Sequence, residues 1–118
     1  MIAMTTTPRN IAEFSELVEF KRITLLTFHR VPTQNGTPEH WKLAYMERYA
    51  KHGEEGNNRN RVYVNASSYN QMWLDATGGD VEAIEHLGRT FPARFIPDNG
   101  GIDRWEVYLD NEVPAYLR

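Results

Sequence analysis

From Arg61 to Thr90 the spacing of apolar positions changes twice, and each change marks an element. Arg61-Val62-Tyr63-Val64-Asn65 crowds β-branched and aromatic residues into a run too short for a helix and too apolar for a loop, which reads as a strand. Ser68 then precedes Gln71 at the spacing of a capping box, and Tyr69, Met72, Trp73 and Ala76 follow at the spacing of one helical face. Asn70, Gln71 and Asp75 take the polar side. Gly78 and Gly79 supply the left-handed backbone that ends a helix without a Cβ penalty, and Asp80 stands at the cap of another. Val81, Ile84 and Leu87 make the apolar face of that second helix, with Glu82–His86 and Glu85–Arg89 at i, i+4 outside.

The flanking segments are read in the same way. Thr7-Pro8 has the form of a cap and first helical residue, and Ile11, Phe14 and Leu17 or Val18 recur at helical spacing, predicting a helix to about Phe20. Residues 22–31 are apolar on both alternating faces, as a central strand would be, with His29 and Arg30 near its end pointing to opposite faces. Residues 32–36 form a turn. Thr37-Pro38-Glu39 repeats the cap signature and predicts a helix to about His52, closed by Gly53. On that helix Leu43, Met46 and Ala50 share one side, and Trp41, Tyr45 and Tyr49 form a ridge beside Lys42 and Arg48. The ridge is either buried between layers or a recognition surface. The segment 54–60 lacks periodicity and reads as the most flexible internal loop, placing Arg59 and Arg61 at the entrance of the following strand.

Near the C-terminus, Phe91, Ala93 and Phe95 alternate with Pro92, Arg94 and Ile96, and Trp105, Val107 and Leu109 alternate along a second run. Pro97-Asp98-Asn99-Gly100-Gly101 between them is turn chemistry, which makes a hairpin. Pairing Phe95 with Trp105 sets Arg94 opposite Glu106, whereas a two-residue shift sets Arg94 opposite Arg104. Opposite charges favour the first register. The final residues, with Pro114 and a closing Ala-Tyr-Leu before Arg118, are expected to dock loosely on the surface. The whole implies one α+β domain over 8–118 behind a disordered tail at 1–7, with a mostly antiparallel sheet of about four strands and helices packed against it.

Composition narrows the function more by exclusion than by indication. The 118 residues contain no cysteine, which removes disulfides, thiolate metal sites and cysteine nucleophiles and suits a reducing compartment. No stretch nears the apolar length of a membrane span and the N-terminus lacks a basic start, so the expectation is a cytoplasmic protein without a membrane partner. A net charge of −3 is too balanced to draw the whole molecule to nucleic acid.

Reactive clusters are equally sparse. His29, His40, His52 and His86 sit on separate elements with no HxxH or HxH spacing, so no metal site is expected. Asp98, Asp103 and Glu106 have a nuclease-like spacing of carboxylates, but Tyr108 stands where the cation belongs. No phosphate-loop, dinucleotide or nucleophile-elbow motif occurs, and Ser15, Ser67 and Ser68 are explained by helices. Neither a catalytic residue nor a cofactor is expected.

What remains is Trp41, Lys42, Tyr45, Arg48, Tyr49, Arg59 and Arg61, a set of aromatic and basic side chains suited to a partner surface. The leading expectation is a small stoichiometric protein-binding module, an adaptor or inhibitor of the sort that phage and mobile elements encode, with a nucleic-acid-processing complex among candidate targets. The alternative is a nucleic-acid-binding or nucleic-acid-processing protein using the Trp41–Arg61 patch. A small enzyme built on His29 and Arg30 comes third.

Overall fold

The structure is a computed structural model, and it describes residues 7–98 and 101–110. Its elements run α1 (Ile11–Phe20), β1 (Ile23–Val31), β2 (His40–Tyr49), β3 (Arg61–Val64), α2 (Ser67–Thr77), α3 (Val81–Gly88), β4 (Ala93–Ile96) and β5 (Arg104–Tyr108). The five strands make a single sheet in the order β3-β2-β1-β5-β4, and every neighbouring pair is antiparallel. This is the expected α+β fold, with one strand more than anticipated. The proposed tail falls mostly at residues 1–6, and the C-terminal segment at 111–118. Both lie outside the described residues.

The extra strand is β2, where the sequence pattern predicts a helix. Pro38 opens no helix. Asn35 and Gly36 instead take φ of 48° and 81°, the positive-φ pair of a tight hairpin turn, and Gln34 bridges Thr37, so the chain doubles back onto β1. Along β2, Leu43 pairs with Phe28 and Tyr45 with Thr27, which leaves Ala44 as an extra residue in a bulge. A second register shift falls at Thr24.

One hydrophobic core joins the helices to one side of the sheet. Phe14 and Val18 of α1, Trp73 of α2, and Ile84 and Leu87 of α3 pack on Leu26, Phe28, Trp41, Leu43, Met46 and Val107. Burying such side chains contributes roughly 1.5–3 kcal/mol each before conformational entropy is counted. Trp73 is fully buried, lies against Phe14 (5.4 Å) and Phe28 (4.6 Å), and donates its Nε1–H to the Trp41 carbonyl at 2.8 Å. The glycine elbow seals the same corner: Gly78 and Gly79 sit at φ 73° and 75°, and the Gly79 carbonyl accepts from Trp41 N at 2.7 Å.

Two helix starts differ from the sequence reading. Asn10, not Thr7, caps α1, its Oδ1 accepting from Glu13 N at 2.9 Å, so Pro8 lies ahead of the helix. At α2 no capping box forms. Ala66 occupies the cap position, Asn65 Oδ1 accepts from Ser67 N, and Gln71 turns to Asp75. Asn70, assigned to the polar side, instead accepts from Leu43 N at 2.8 Å and ties α2 to β2 beyond the end of β3. The C-terminal hairpin has the register that charge selects, with Phe95 opposite Trp105 and Arg94 opposite Glu106. Asn99 and Gly100, in its connection, lie outside the described residues.

Candidate functional site

Because directly paired residues share a face, the registers list what the side of the sheet away from the helices carries. One row across the strands holds Lys42, His29, Arg104 and Ile96, the next Tyr45, Thr27, Glu106 and Arg94, and a third Tyr63, Glu47, Leu25 and Tyr108. Beyond these, Tyr49 pairs with Arg61.

Toward the β3 edge of this face lies an exposed aromatic pair, Tyr45 with Tyr63. Their rings lie 5.7 Å apart at 40°, and Tyr63 is 62% exposed. The Tyr45 hydroxyl donates to Glu47 at 2.6 Å, which fixes the ring. Partial burial first, and then that carboxylate, push the Tyr45 phenol up to about 12. Beside Tyr63, where β3 stops and α2 begins, Lys42, Asn65, Ser67 and Asn70 help line a cleft of ≈ 280 Å³. The face thus offers a raised aromatic pair next to a hollow.

The seven residues singled out in the sequence do not form one patch, because the helix that grouped them is a strand. Lys42, Tyr45, Tyr49 and Arg61 share the side of the sheet away from the described helices. Trp41, in contrast, is only 6% exposed and belongs to the core. Arg48 sits on the helix side, where a bidentate pair with Glu54 at 2.8 Å and 2.8 Å pins the following loop. That pairing, with the Lys51 N–H, holds the Glu54 carboxyl at about 2. Arg61 lies 4.3 Å over the Tyr49 ring, donates to Asp110 and to the Arg59 carbonyl, and is buried. The 54–60 loop, expected to be flexible, is held further by Asn57 Oδ1, which accepts from Arg59 N and Arg61 N.

Among the members of the face outside the predicted set are Tyr63, His29 and Arg104. His29 had been singled out only with Arg30 as a candidate enzyme site, and nothing local marks Tyr63 or Arg104; all three come beside Lys42 and Tyr45 through strand register. His29 lies between two cations, and its imidazole is held below its usual value by burial first and then by Arg104 and Lys42. Arg30, its chain neighbour, faces away and pairs with Glu39 and Asp103, so the two build no joint site.

The nuclease-like carboxylates are likewise dispersed. Asp103 binds Arg30 and accepts from Asp98 N, whereas Glu106 faces Arg94 and accepts from the Tyr108 hydroxyl at 2.5 Å. Among the described residues no group of three or more metal-ligating side chains converges, and no helix is long and apolar enough to cross a membrane. Comparison with protein-family models, curated proteins and solved structures yields no match.

Proposed function

We propose that the protein is a small stoichiometric protein-binding module, an adaptor or inhibitor, that meets its partner with the sheet face away from the described helices, around Tyr45, Tyr63 and Lys42. The observation that carries this reading is the exposed Tyr45–Tyr63 pair on a hydrogen-bonded sheet. Tyrosine held on a rigid support gives large contact area at little conformational cost, and tyrosine is enriched among interface hot spots. The interspersed carboxylates indicate the kind of partner. Glu47 adjoins both tyrosines and Glu106 lies in the Tyr45 row, so a phosphate backbone crossing the face would meet repulsion, whereas a protein can place complementary charges.

Tyr63→Thr tests the reading, since threonine keeps the strand preference and removes the ring. Thermal stability should stay within about 0.5 kcal/mol, as for other exposed substitutions. Binding to a partner captured from the native host and measured by calorimetry should weaken by about 2 kcal/mol or more. Unchanged affinity would reject the face as the contact surface.

Nucleic acid is the second reading, favoured by the Lys42–His29–Arg104 row. Arg48 and Arg61 lie outside that row and already pair with Glu54 and Asp110, and the row's permanent cations are Lys42 and Arg104. Two phosphate contacts to a single strand give a log–log salt slope of about −1.4. A labelled oligonucleotide that shows no shift at low salt and micromolar protein would remove it.

A further inference from the structure

We propose that Lys42, His29 and Arg104 form an anion subsite that receives a carboxylate-bearing segment of the protein partner. The inference rests on the protein-binding reading above and assigns its charge chemistry. Strand pairing places the three side chains in one row: His29 is directly opposite Lys42 on β2 and directly opposite Arg104 on β5. Adjacent strands lie about 4.8 Å apart, so the row spans roughly 10 Å, within reach of two carboxylates of one extended segment.

No carboxylate among the described residues forms an ion pair with Lys42 or Arg104. Three arginines of the sheet, by contrast, are matched by carboxylates: Arg30 by Glu39 and Asp103, Arg48 by Glu54 and Arg61 by Asp110. Arg104 Nε is buried and has no hydrogen-bond partner among the described residues, a donor that costs free energy until an acceptor arrives. Lys42 and Arg104, on the two strands that flank β1, repel each other across His29, and a bound anion relieves that repulsion. The next row selects the source of that anion. Glu106 and the Tyr45–Glu47 pair border the cations, so discrete carboxylates on a side chain fit where a continuous phosphate chain would be opposed.

The test is a titration of the full chain at low ionic strength with three probes: an acetylated hexaglutamate amide, inorganic phosphate, and a single-stranded hexanucleotide. NMR of the His29 ring and of the Lys42 and Arg104 amides reports occupancy. The peptide should bind more tightly than either other probe, shift those signals, and raise the midpoint of His29 titration. Lys42→Glu with Arg104→Glu should weaken peptide binding tenfold or more, while Lys51→Glu on the distal loop should not. If the double variant fails to fold, Lys42→Glu alone, at an exposed position, carries the comparison. Tighter binding of the oligonucleotide or phosphate, or loss with Lys51→Glu equal to that with Lys42→Glu, would overturn the subsite. So would a native partner whose affinity falls with Tyr63→Thr but not with the charge reversals, a result that leaves the protein-binding reading standing.

Discussion

Replacing Gly79 with alanine separates two costs that a glycine elbow can conceal. Both Gly78 and Gly79 have positive φ, 73° and 75°, so a Cβ at either position incurs the left-handed penalty, about 1–2 kcal/mol. Only Gly79 also has neighbours in the way. A Cβ there would lie 3.0 Å from His40 Cβ, 3.0 Å from Leu74 Cδ2 and 3.0 Å from the Trp41 carbonyl oxygen, whereas at Gly78 nothing lies within 4 Å. Leu74 can rotate aside, but the other two atoms belong to β2 and are held by the Gly79–Trp41 and Trp73–Trp41 hydrogen bonds. Overpacking against such a support adds about 1–3 kcal/mol. Gly78→Ala should therefore lose about 1–2 kcal/mol and Gly79→Ala about 2–5 kcal/mol. Urea unfolding followed by tryptophan fluorescence measures both, and the slope m should not change, because the surface exposed on unfolding is the same. Thermal midpoints should fall by about 3–5 °C per kcal/mol for a chain of this size. Equal losses at the two positions would refute the close approach of the elbow to β2.

Two further outcomes follow from the core and the loop. Trp73→Phe keeps an aromatic ring between Phe14 and Phe28 but strands the Trp41 carbonyl and leaves a small void. It should cost about 2–4 kcal/mol by chemical denaturation, and a loss near zero would show that the indole N–H is not a strap. Glu54 ionises at about 2, below its ordinary 4.5, so it favours the folded state above the ordinary value and loses that effect as pH falls toward about 2. Glu54→Gln should flatten that part of the acid dependence of the urea midpoint, and an unaltered profile would mean that the Arg48 pair does not hold the loop in solution.

Where local chemistry and tertiary packing agree, the elements were legible from residues alone. Phe14 and Val18 mark α1, the glycine pair marks the elbow, and the opposition of Arg94 to Glu106 chooses the hairpin register, each through forces acting over a few residues or one strand pair. The segment 40–49 was not legible as a strand, for a geometric reason. A bulge at Ala44 inserts one residue into the two-residue alternation, so the core positions Leu43, Met46 and Ala50 fall three and four apart, the spacing of a helix. One local signal did favour a hairpin over that helix. Asn35-Gly36 between two apolar runs is the sequence of a tight β-turn, and it outweighs Thr37-Pro38 because only a strand in this place supplies β1 with a partner. The composition of the candidate site was partly visible, in Lys42, Tyr45, Tyr49 and Arg61. Its membership was not, because Trp41 and Arg48 differ from Lys42 by the side of the sheet they occupy. Tyr63, His29 and Arg104 join Lys42 and Tyr45 only when hydrogen bonding between strands far apart in the chain sets which residues stand side by side.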